Sequence, residues 1–313
     1  MPEPLLVALG GNALVKPGQP GSIEEQAATL RASLKGVAEL IRRGHPLVIT
    51  HGNGPQVGHI LIRTEVSRGQ AYDLPLDVCV AQSQGETGYL IQQTLHNLLR
   101  NDGLDRPIVA LISRVVVDQH DPRMARPTKP IGPFYTSEQA VALKARGCCV
   151  IEDAHRGHRR VVPSPLPLRI VEAGIVKRLV AEGTIVIAIG GGGIPVCVDT
   201  DGHLAGVEAV VDKDLASSVL AAAIGIKRII DLTSVDHVKL HFGSPAEQNL
   251  GRITLAEAKA YLAAGHFEPG SMEPKIQAAI QFLERGGQHV VITSPDHAID
   301  GFEGRIGTQI RPA

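Results

Sequence analysis

The sequence predicts an α/β fold in which a mostly parallel sheet is covered by helices on both faces. Short β-branched runs alternate with amphipathic stretches along most of the 313 residues. Strands that alternate with helices of this length are typical of βαβ units, whose crossover helices cover a parallel sheet. Apolar residues make up 43% of the chain and charged residues 20%, a composition that supports a substantial buried core.

The predicted elements follow one another in a regular order. The chain begins with a strand at residues 4–9, and a single long helix follows over residues 23–41, where apolar residues recur in steps of three and four. Gly44, directly after two arginines, is a typical helix stop. The other predicted strands are 46–50, 107–112, 185–189, 228–232 and 289–293, and the other predicted helices are 55–69, 83–102, 171–182, 213–224 and 273–286.

Residues 118–168 interrupt this rhythm. The segment is rich in Pro, Arg, His and Lys and has weak periodicity. Such an insertion is typical of a lid, an interface arm, a mobile loop or a solvated excursion from the surface, and the residues alone leave these alternatives open. It contains a basic cluster at residues 155–160, for which a solvated face is the default interpretation.

Composition excludes several classes of partner. The chain has 31 Lys and Arg against 32 Asp and Glu, so its net charge of −1 provides no global field for nucleic acid or an anionic membrane. Aromatic residues are only 3% and Trp is absent, which argues against base-stacking surfaces and aromatic cages. Any site for an anion must therefore be local.

The cysteines and the N-terminal sequence predict the compartment. The four cysteines form no C-x-x-C pair, which argues against a zinc site or a disulfide framework and favours reducing surroundings. The N-terminal apolar run is short and lacks a basic flank, and the longest uncharged stretch is too short for a membrane span. We expect a cytoplasmic protein without a structural metal.

Glycine clusters follow three of the predicted strands. They occupy residues 10–11, 52–54 and 190–193. Each alone is best explained as a tight strand-to-helix turn, but together they favour a polyanion site, because glycine lets backbone N–H groups approach a ligand at the carboxyl ends of parallel strands. The chain has no Gly-Lys dipeptide, which excludes a Walker A loop, and it lacks the full pattern of a dinucleotide-binding strand and turn.

Three lysines stand in unusual settings. Lys129 lies in the Pro-rich insertion, Lys213 starts a predicted helix between two aspartates, and Lys275 starts another. A lysine at a helix N-terminus opposes the helix dipole, although any one of them could be an ordinary exposed side chain. Phosphoryl transfer requires positioning and positive charge around the transferred group, so the lysines and the glycine loops together point to this chemistry.

Long motifs, in order along almost the whole chain, resemble those of carbamate kinases, a branch of the amino-acid kinase superfamily. The motifs are residues 8–14, 51–58, 127–135, 162–165, 190–195, 212–216 and 270–275. The resemblance implies a three-layer sandwich around a mainly parallel sheet, a protruding lid subdomain at residues 118–163, and a homodimer. It further implies an acceptor lobe at residues 1–226, which includes that lid, and a nucleotide-binding lobe at residues 227–313.

The resemblance also implies a reaction and roles for residues. The reaction is ATP + carbamate ⇌ ADP + carbamoyl phosphate, with Mg²⁺ carried by the nucleotide. Lys213 and Lys275 would neutralise the transferred phosphoryl group, Asp214 would orient them, and Lys129 would cover the site. The carbamate and phosphoryl contacts would come from Gly10, Gly11, Asn12, Gly52, Asn53 and Gly54, and the nucleotide contacts from Lys213, Thr233, Val235, Asp236, Met272 and Lys275.

Three residues depart from the motifs of the family. Ser234 and His237 lie in the predicted nucleotide loop, and Glu273 lies two residues before Lys275, where we expect it to point outward from the first helical turn. Two other functions are weighed beside the leading one: a kinase of the same superfamily with a different small acceptor, and a nucleotide-binding regulator that has lost catalysis. The presence of Lys213, Asp214 and Lys275 argues against the second.

Overall fold

The computed structural model describes residues 2–16, 19, 21–152 and 157–313. Four residues of the basic cluster at 155–160 lie within this range, and His155 and Arg156 lie outside it.

The strands and helices alternate as predicted for most of the chain. The strands are β1 (Leu5–Leu9), β2 (Leu47–His51), β3 (Ile108–Ala110), β4 (Arg114–Val117), β5 (Lys129–Tyr135), β6 (Val150–Glu152), β7 (His158–Val162), β8 (Pro167–Ile170), β9 (Ile185–Ile187), β10 (Ile194–Val198), β11 (Leu204–Gly206), β12 (Arg228–Leu232), β13 (Lys239–Leu240), β14 (Gln248–Asn249), β15 (Arg252–Thr254), β16 (His289–Thr293) and β17 (Thr308–Arg311). The helices are α1 (Ile23–Ser33), α2 (Lys35–Arg42), α3 (Gly54–Val66), α4 (Leu76–Asn101), α5 (Ser137–Ala145), α6 (Ala173–Ala181), α7 (Lys213–Ile224), α8 (Leu255–Ala263), α9 (Met272–Glu284) and α10 (Ala298–Phe302).

The central sheet has eight strands in the order β15-β17-β16-β12-β1-β2-β9-β3. Every neighbouring pair in it is parallel except β16 and β17. The α/β class with a mainly parallel sheet is thus confirmed. The sheet runs without interruption from the N-terminal to the C-terminal half of the chain, because β1 pairs with β12 along its whole length.

Two apolar clusters, one on each face of the sheet, produce three layers. Side chains alternate along β1, so that Leu6 and Ala8 belong to one cluster while Leu5, Val7 and Leu9 belong to the other. The first cluster includes residues of α6, α7 and α9, and the second includes residues of α1, α2 and α4. The predicted three-layer sandwich is therefore present.

Some predicted boundaries are wrong. The single helix expected at residues 23–41 is two helices that meet at Leu34, whose φ of −89° and ψ of −1° interrupt α1 and start α2. In α2, Gly36 lies so close to Ala298 of α10 that a Cβ on the glycine would be 2.6 Å from the alanine Cβ. Helix α4 starts at Leu76 rather than residue 83, and strands β4, β8, β10 and β11 form a second sheet that the sequence pattern did not predict.

Part of the insertion is a folded subdomain rather than a loop. Strands β5, β7 and β6 form an antiparallel sheet that carries α5. Its base contributes Ile131 and Val162 to a third apolar cluster with Val57 and Ile60 of α3. The described part of this segment is therefore folded and packs on α3, unlike an irregular loop or a solvated excursion.

Among the described residues, none of the helices is both long and apolar enough to span a membrane.

Candidate active site

The loops after three central strands meet at the carboxyl edge of the sheet. The backbone N–H of Gly10, after β1, donates to the carbonyl of Leu232 at the end of β12 over 2.7 Å. The backbone N–H of Gly52, after β2, donates to the carbonyl of Leu9 over 3.1 Å. These bonds place the first two glycine loops side by side at the edge where ligands of parallel α/β sheets bind.

The second loop lies in contact with the first loop and with the side chain of Lys213. A Cβ built on Gly52 would lie 3.6 Å from the backbone nitrogen of Gly11 and 3.8 Å from Cδ of Lys213. The neighbouring Asn53 is buried, and its Nδ2 donates to Oγ of Ser83 over 2.8 Å. The side chain of Asn53 therefore leaves the start of α3 without a side-chain cap, and its first backbone N–H groups remain available to a ligand.

The third glycine cluster packs behind the second loop. A Cβ on Gly190 would lie 2.4 Å from Nε2 of His51, and one on Gly191 would lie 2.0 Å from Nδ2 of Asn53. The side chain of Gln84 holds this loop, because its Nε2 donates to the carbonyl of Gly190 over 3.0 Å. Close packing against His51 and Asn53 therefore explains why this third cluster consists of glycines, without any contact to a ligand.

His51 is a buried, neutral residue. Its Nδ1 carries the proton, because it lies 2.9 Å from the carbonyl of Gly52, which can only accept. Burial, aided by the positive charge of Lys213, lowers the pKa of His51 to about 4 despite this hydrogen bond. The ring therefore orients the second loop and is neutral near pH 7.

Helix α7 connects the subdomain to the site through its N-cap. The Oδ1 of Asp212 accepts from the backbone N–H groups of Asp214 at 2.9 Å and Leu215 at 3.3 Å, which satisfies the start of the helix. Its Oδ2 accepts from Nζ of Lys129 at 2.5 Å. Burial alone would lower the pKa of Lys129, but the negative charge of Asp212 raises it above its usual range. Lys129, on strand β5 of the subdomain, is thus tied to the first turn of α7.

Asp214 bridges the other two lysines. Its Oδ1 accepts from Lys213, and its Oδ2 lies 3.2 Å from Nζ of Lys275, which stands in the first turn of α9. Burial would raise the pKa of Asp214, but the charges of Lys213 and Lys275 hold it below its usual range. The structure therefore brings together the lysines and the aspartate that the sequence singled out, beside the Gly11 and Gly52 turns.

Sequence reasoning missed one member of this group, Asp231 of β12. Nζ of Lys275 lies 3.0 and 2.9 Å from its two carboxylate oxygens, and Nζ of Lys213 lies 3.6 Å from Oδ1. The pKa of Asp231 is raised by burial and by the charge of Asp214, against the opposing effect of both lysines. Burial would lower the pKa of Lys275, but the charges of Asp214 and Asp231 hold it above its usual range. An acid inside the apolar run Arg228–Leu232 was the signal that could have revealed Asp231.

Three of the predicted nucleotide residues lie along the loop that follows β12. Thr233 contacts the first glycine loop, since its Cα would lie 3.5 Å from a Cβ on Gly10, and its N–H donates to the carbonyl of Thr293 over 2.8 Å. Further along the loop, Val235 is half-buried, and the exposed Asp236 lies 4.0 Å from Nε2 of His297. Met272 is half-buried at the start of α9 and packs on the apolar cluster of α7 and α9.

The departures from the family motifs have structural explanations in two of three cases. Nε2 of His237 accepts from the N–H of Gly307 over 3.2 Å, so this residue links the loop to the chain before β17. Glu273 accepts from Nε2 of Gln277 over 2.8 Å, one turn along its own helix, and its outward direction stays a prediction. Ser234 is exposed, and its substitution has no structural explanation.

Two further features lie outside the lysine group. A surface cavity of about 440 Å³ is lined by His241, Phe242, Ser244, Gly265, His266 and Glu268, all in the C-terminal segment. Asp199, Asp201 and His203 could together approach a metal ion, but they are exposed in the turn between β10 and β11. Asp199 there accepts from the backbone N–H groups of the other two, which explains the cluster as a capped turn.

Comparison with known proteins agrees with this geometry. The amino acid kinase family model matches residues 3–294. The carbamate kinase of Thermococcus kodakarensis is 47% identical over 98% of this chain and 98% of its own length. Carbamate kinase from Giardia lamblia bound to citric acid superposes with a TM-score of 0.94 at 37% identity, over 99% of this chain and 98% of that chain. The same protein bound to AMP-PNP gives a TM-score of 0.91 at 38% identity, with the same coverage. This chain therefore belongs to the amino acid kinase family and, within it, to the carbamate kinases.

Proposed function

We propose that this chain catalyses reversible phosphoryl transfer, ATP + carbamate ⇌ ADP + carbamoyl phosphate. The observation that carries the proposal is the convergence of Lys129, Lys213 and Lys275 on the carboxyl edge of the sheet, beside glycine loops. Phosphoryl transfer is catalysed mainly by positioning and by charge stabilisation, which is what such a group supplies. The relatives that are named carbamate kinases support carbamate as the acceptor.

In the proposed mechanism the lysines act on the transferred group. Lys213 and Lys275 neutralise the charge that spreads over the phosphoryl oxygens as the bond to the leaving oxygen breaks. Asp214 bridges both ammonium groups and so keeps them at a fixed separation. Because these charges act in a buried site, they stabilise the transition state more strongly than they would in water.

The acceptor is bound by the first two glycine loops. Backbone N–H groups of Gly11, Asn12, Asn53 and Gly54 surround the anion, and Lys129 of the subdomain covers it. The N–H groups of Gly10 and Gly52 are engaged by the carbonyls of Leu232 and Leu9, so these two glycines shape the loops and do not donate to the acceptor. Carbamate is already an anion, so its oxygen attacks phosphorus without a general base. The neutral His51, whose proton is held by the carbonyl of Gly52, agrees with a mechanism that removes no proton.

The nucleotide is proposed to bind through residues 227–313, with the acceptor lobe at residues 1–226. Thr233, Val235, Asp236 and Met272 would contact the nucleotide, together with Lys213 and Lys275. Mg²⁺ would arrive on the nucleotide phosphates and lower their charge, because each aspartate around the lysines is already engaged by a lysine.

The assembly and compartment are also proposals. We propose a cytoplasmic homodimer, as the resemblance to carbamate kinases implies. Exposed apolar side chains such as Tyr89 and Ile112, at 59% and 55% exposure, are available on the surface for such a contact. Light scattering on the purified protein would measure the mass of the assembly, and a monomer at micromolar concentration would contradict this part of the proposal.

The deciding experiment is the synthesis of ATP. Purified protein with ADP, Mg²⁺ and carbamoyl phosphate should form ATP, detected by a coupled assay, and acetyl phosphate should be a poorer donor. ATP formation from another acyl phosphate but not from carbamoyl phosphate would instead indicate a different small acceptor. Nucleotide binding without any transfer would indicate a regulator.

A further inference from the structure

Asp231 has no assigned part in the proposed transfer. It lies in β12, opposite Ala8 of β1, and its side chain is buried. Its neighbours in the strand, Ile230 and Leu232, are apolar and also buried. A carboxylate at a core position of a central strand is costly unless it is paired, so the role of Asp231 must follow from its partners.

Asp231 occupies the hydrogen-bond donors of Lys275. Nζ of Lys275 lies 3.0 and 2.9 Å from the two oxygens of Asp231 and 3.2 Å from Oδ2 of Asp214. A lysine ammonium has three N–H donors. Three carboxylate oxygens thus lie within hydrogen-bond distance of this ammonium, and a phosphoryl oxygen that binds Lys275 competes with them.

The charges of the site are balanced when Asp231 is included. Three lysines, one of them on the subdomain, face three aspartates: Lys129, Lys213, Lys275, Asp212, Asp214 and Asp231. Asp212 also caps α7, whereas Asp214 and Asp231 both contact Lys213 and Lys275, so Asp231 is a second counterion beside the bridging Asp214. Without it the group would carry one net positive charge, which favours an incoming phosphate.

We propose that Asp231 is a competing counterion that holds Lys275 between turnovers and sets how tightly the terminal phosphate of the nucleotide is bound. When the phosphoryl group arrives, one N–H of Lys275 moves from Asp231 to a phosphoryl oxygen, and the remaining oxygen contact keeps the ammonium in place. No covalent bond changes in this step. Asp231 is thus a positioning residue, and its role rests on the proposed phosphoryl transfer.

The test compares two nucleotides in wild type and Asp231→Leu. Leucine suits the apolar strand and removes the competing charge. With Mg²⁺ present, calorimetry should show AMP-PNP bound about tenfold more tightly by Asp231→Leu, which is about 1.4 kcal/mol. ADP lacks the phosphate that Lys275 would hold, so its Kd should change by less than about threefold. Equal or weaker AMP-PNP binding in the variant would overturn the proposal.

Thermal unfolding separates this role from a purely structural one. Asp231→Leu and the milder Asp231→Asn should melt at lower temperature without ligand, because a buried positive charge loses its partner. AMP-PNP should then raise their Tm more than it raises that of wild type, whereas Asp102→Asn, a surface ion-pair variant at the other end of the sheet, should match wild type. An equal Tm increase in all proteins would show that Asp231 is only structural. Failure of the wild type to make ATP would instead count against the proposed function.

Discussion

The two edges of the central sheet use the same chemistry at different depths. At the carboxyl edge, the side chains of Lys275 and Asp231 are 9% and 6% exposed. At the amino edge, before β2 and β3, those of Arg42 and Asp102 are 33% and 39% exposed. Buried ion pairs carry a large desolvation cost, whereas exposed pairs lose little solvation and gain little stability. This difference indicates that the carboxyl-edge charges are kept for function and that those at the amino edge are ordinary surface pairs.

The largest expected effect comes from removing a buried lysine. Lys275→Ala should lower kcat at least ~100-fold, about 2.7 kcal/mol in the barrier, while nucleotide binding is largely kept, because the charge is most useful in the transition state. Steady-state kinetics in the ATP-forming direction and calorimetry with ADP measure both quantities. Turnover near that of wild type would remove Lys275 from the mechanism. It would also contradict the view that the buried charges of the carboxyl edge serve catalysis.

Lys129 tests whether the subdomain belongs to the functional edge. Its side chain is 27% exposed and pairs with the buried Asp212, so we expect Lys129→Ala to lower kcat/KM for carbamoyl phosphate about tenfold. The free energy of unfolding should also fall, because Asp212 loses its counterion. Lys144→Ala, an exposed lysine of α5 in the same subdomain, is the matched control and should behave as wild type. Similar kinetics for the two variants would place Lys129 outside the site.

Sequence patterns predicted those features of the two edges that are formed by residues adjacent in the sequence. Strands such as Leu5–Leu9 and Ile185–Ile187 are continuous apolar runs, and such runs are typical of a buried parallel sheet. The glycine loops and helix-start lysines were visible for the same reason, since each is a short motif at a strand or helix end.

Features that depend on distant parts of the chain were not predictable from such patterns. The pairing of Asp231 with Lys275 joins residues 44 positions apart, and nothing in the neighbourhood of either indicates the other. Just after the break at Leu34, Gly36 packs against Ala298 of α10, a contact with the other end of the chain that no local pattern indicates. The subdomain was recognised as an insertion, but its attachment through Ile131 and Val162 to α3 required tertiary contacts.

Deleting residues 118–163 would therefore do more than remove a cover. It would expose the apolar side chains of Val57, Ile60 and Leu61 that the subdomain buries. Point variants such as Lys129→Ala are for this reason better probes of the subdomain than its removal.

Two histidines extend the contrast to pH dependence, because one lies at each edge. Burial lowers the pKa of His51 and that of His289 to about 4. A histidine with a depressed native pKa stabilises the fold above its unfolded pKa of ~6.5, and this stability is lost as pH falls from there toward 4. The free energy of unfolding should thus fall by about 1 kcal/mol per histidine between about pH 7 and pH 5.5. Urea unfolding of His51→Asn should show a smaller decrease in the free energy of unfolding over this pH range than wild type. His203→Asn, at an exposed histidine, is the control. The same pH dependence in His51→Asn as in wild type would contradict the lowered pKa of His51.

The smallest effect is expected at the amino edge. Arg42→Ala breaks a 2.5 Å contact with Asp102 and a 2.8 Å contact with Glu39, yet all three side chains are substantially exposed. Water replaces these contacts in the variant, so the free energy of unfolding should fall by no more than about 1 kcal/mol, and less at high salt, with kcat unchanged. Urea unfolding at low and high ionic strength measures this. If Arg42→Ala lowered the free energy of unfolding as much as Asp231→Leu does, an exposed ion pair would contribute as much as a buried one. Burial would then not distinguish the ion pairs of the two edges.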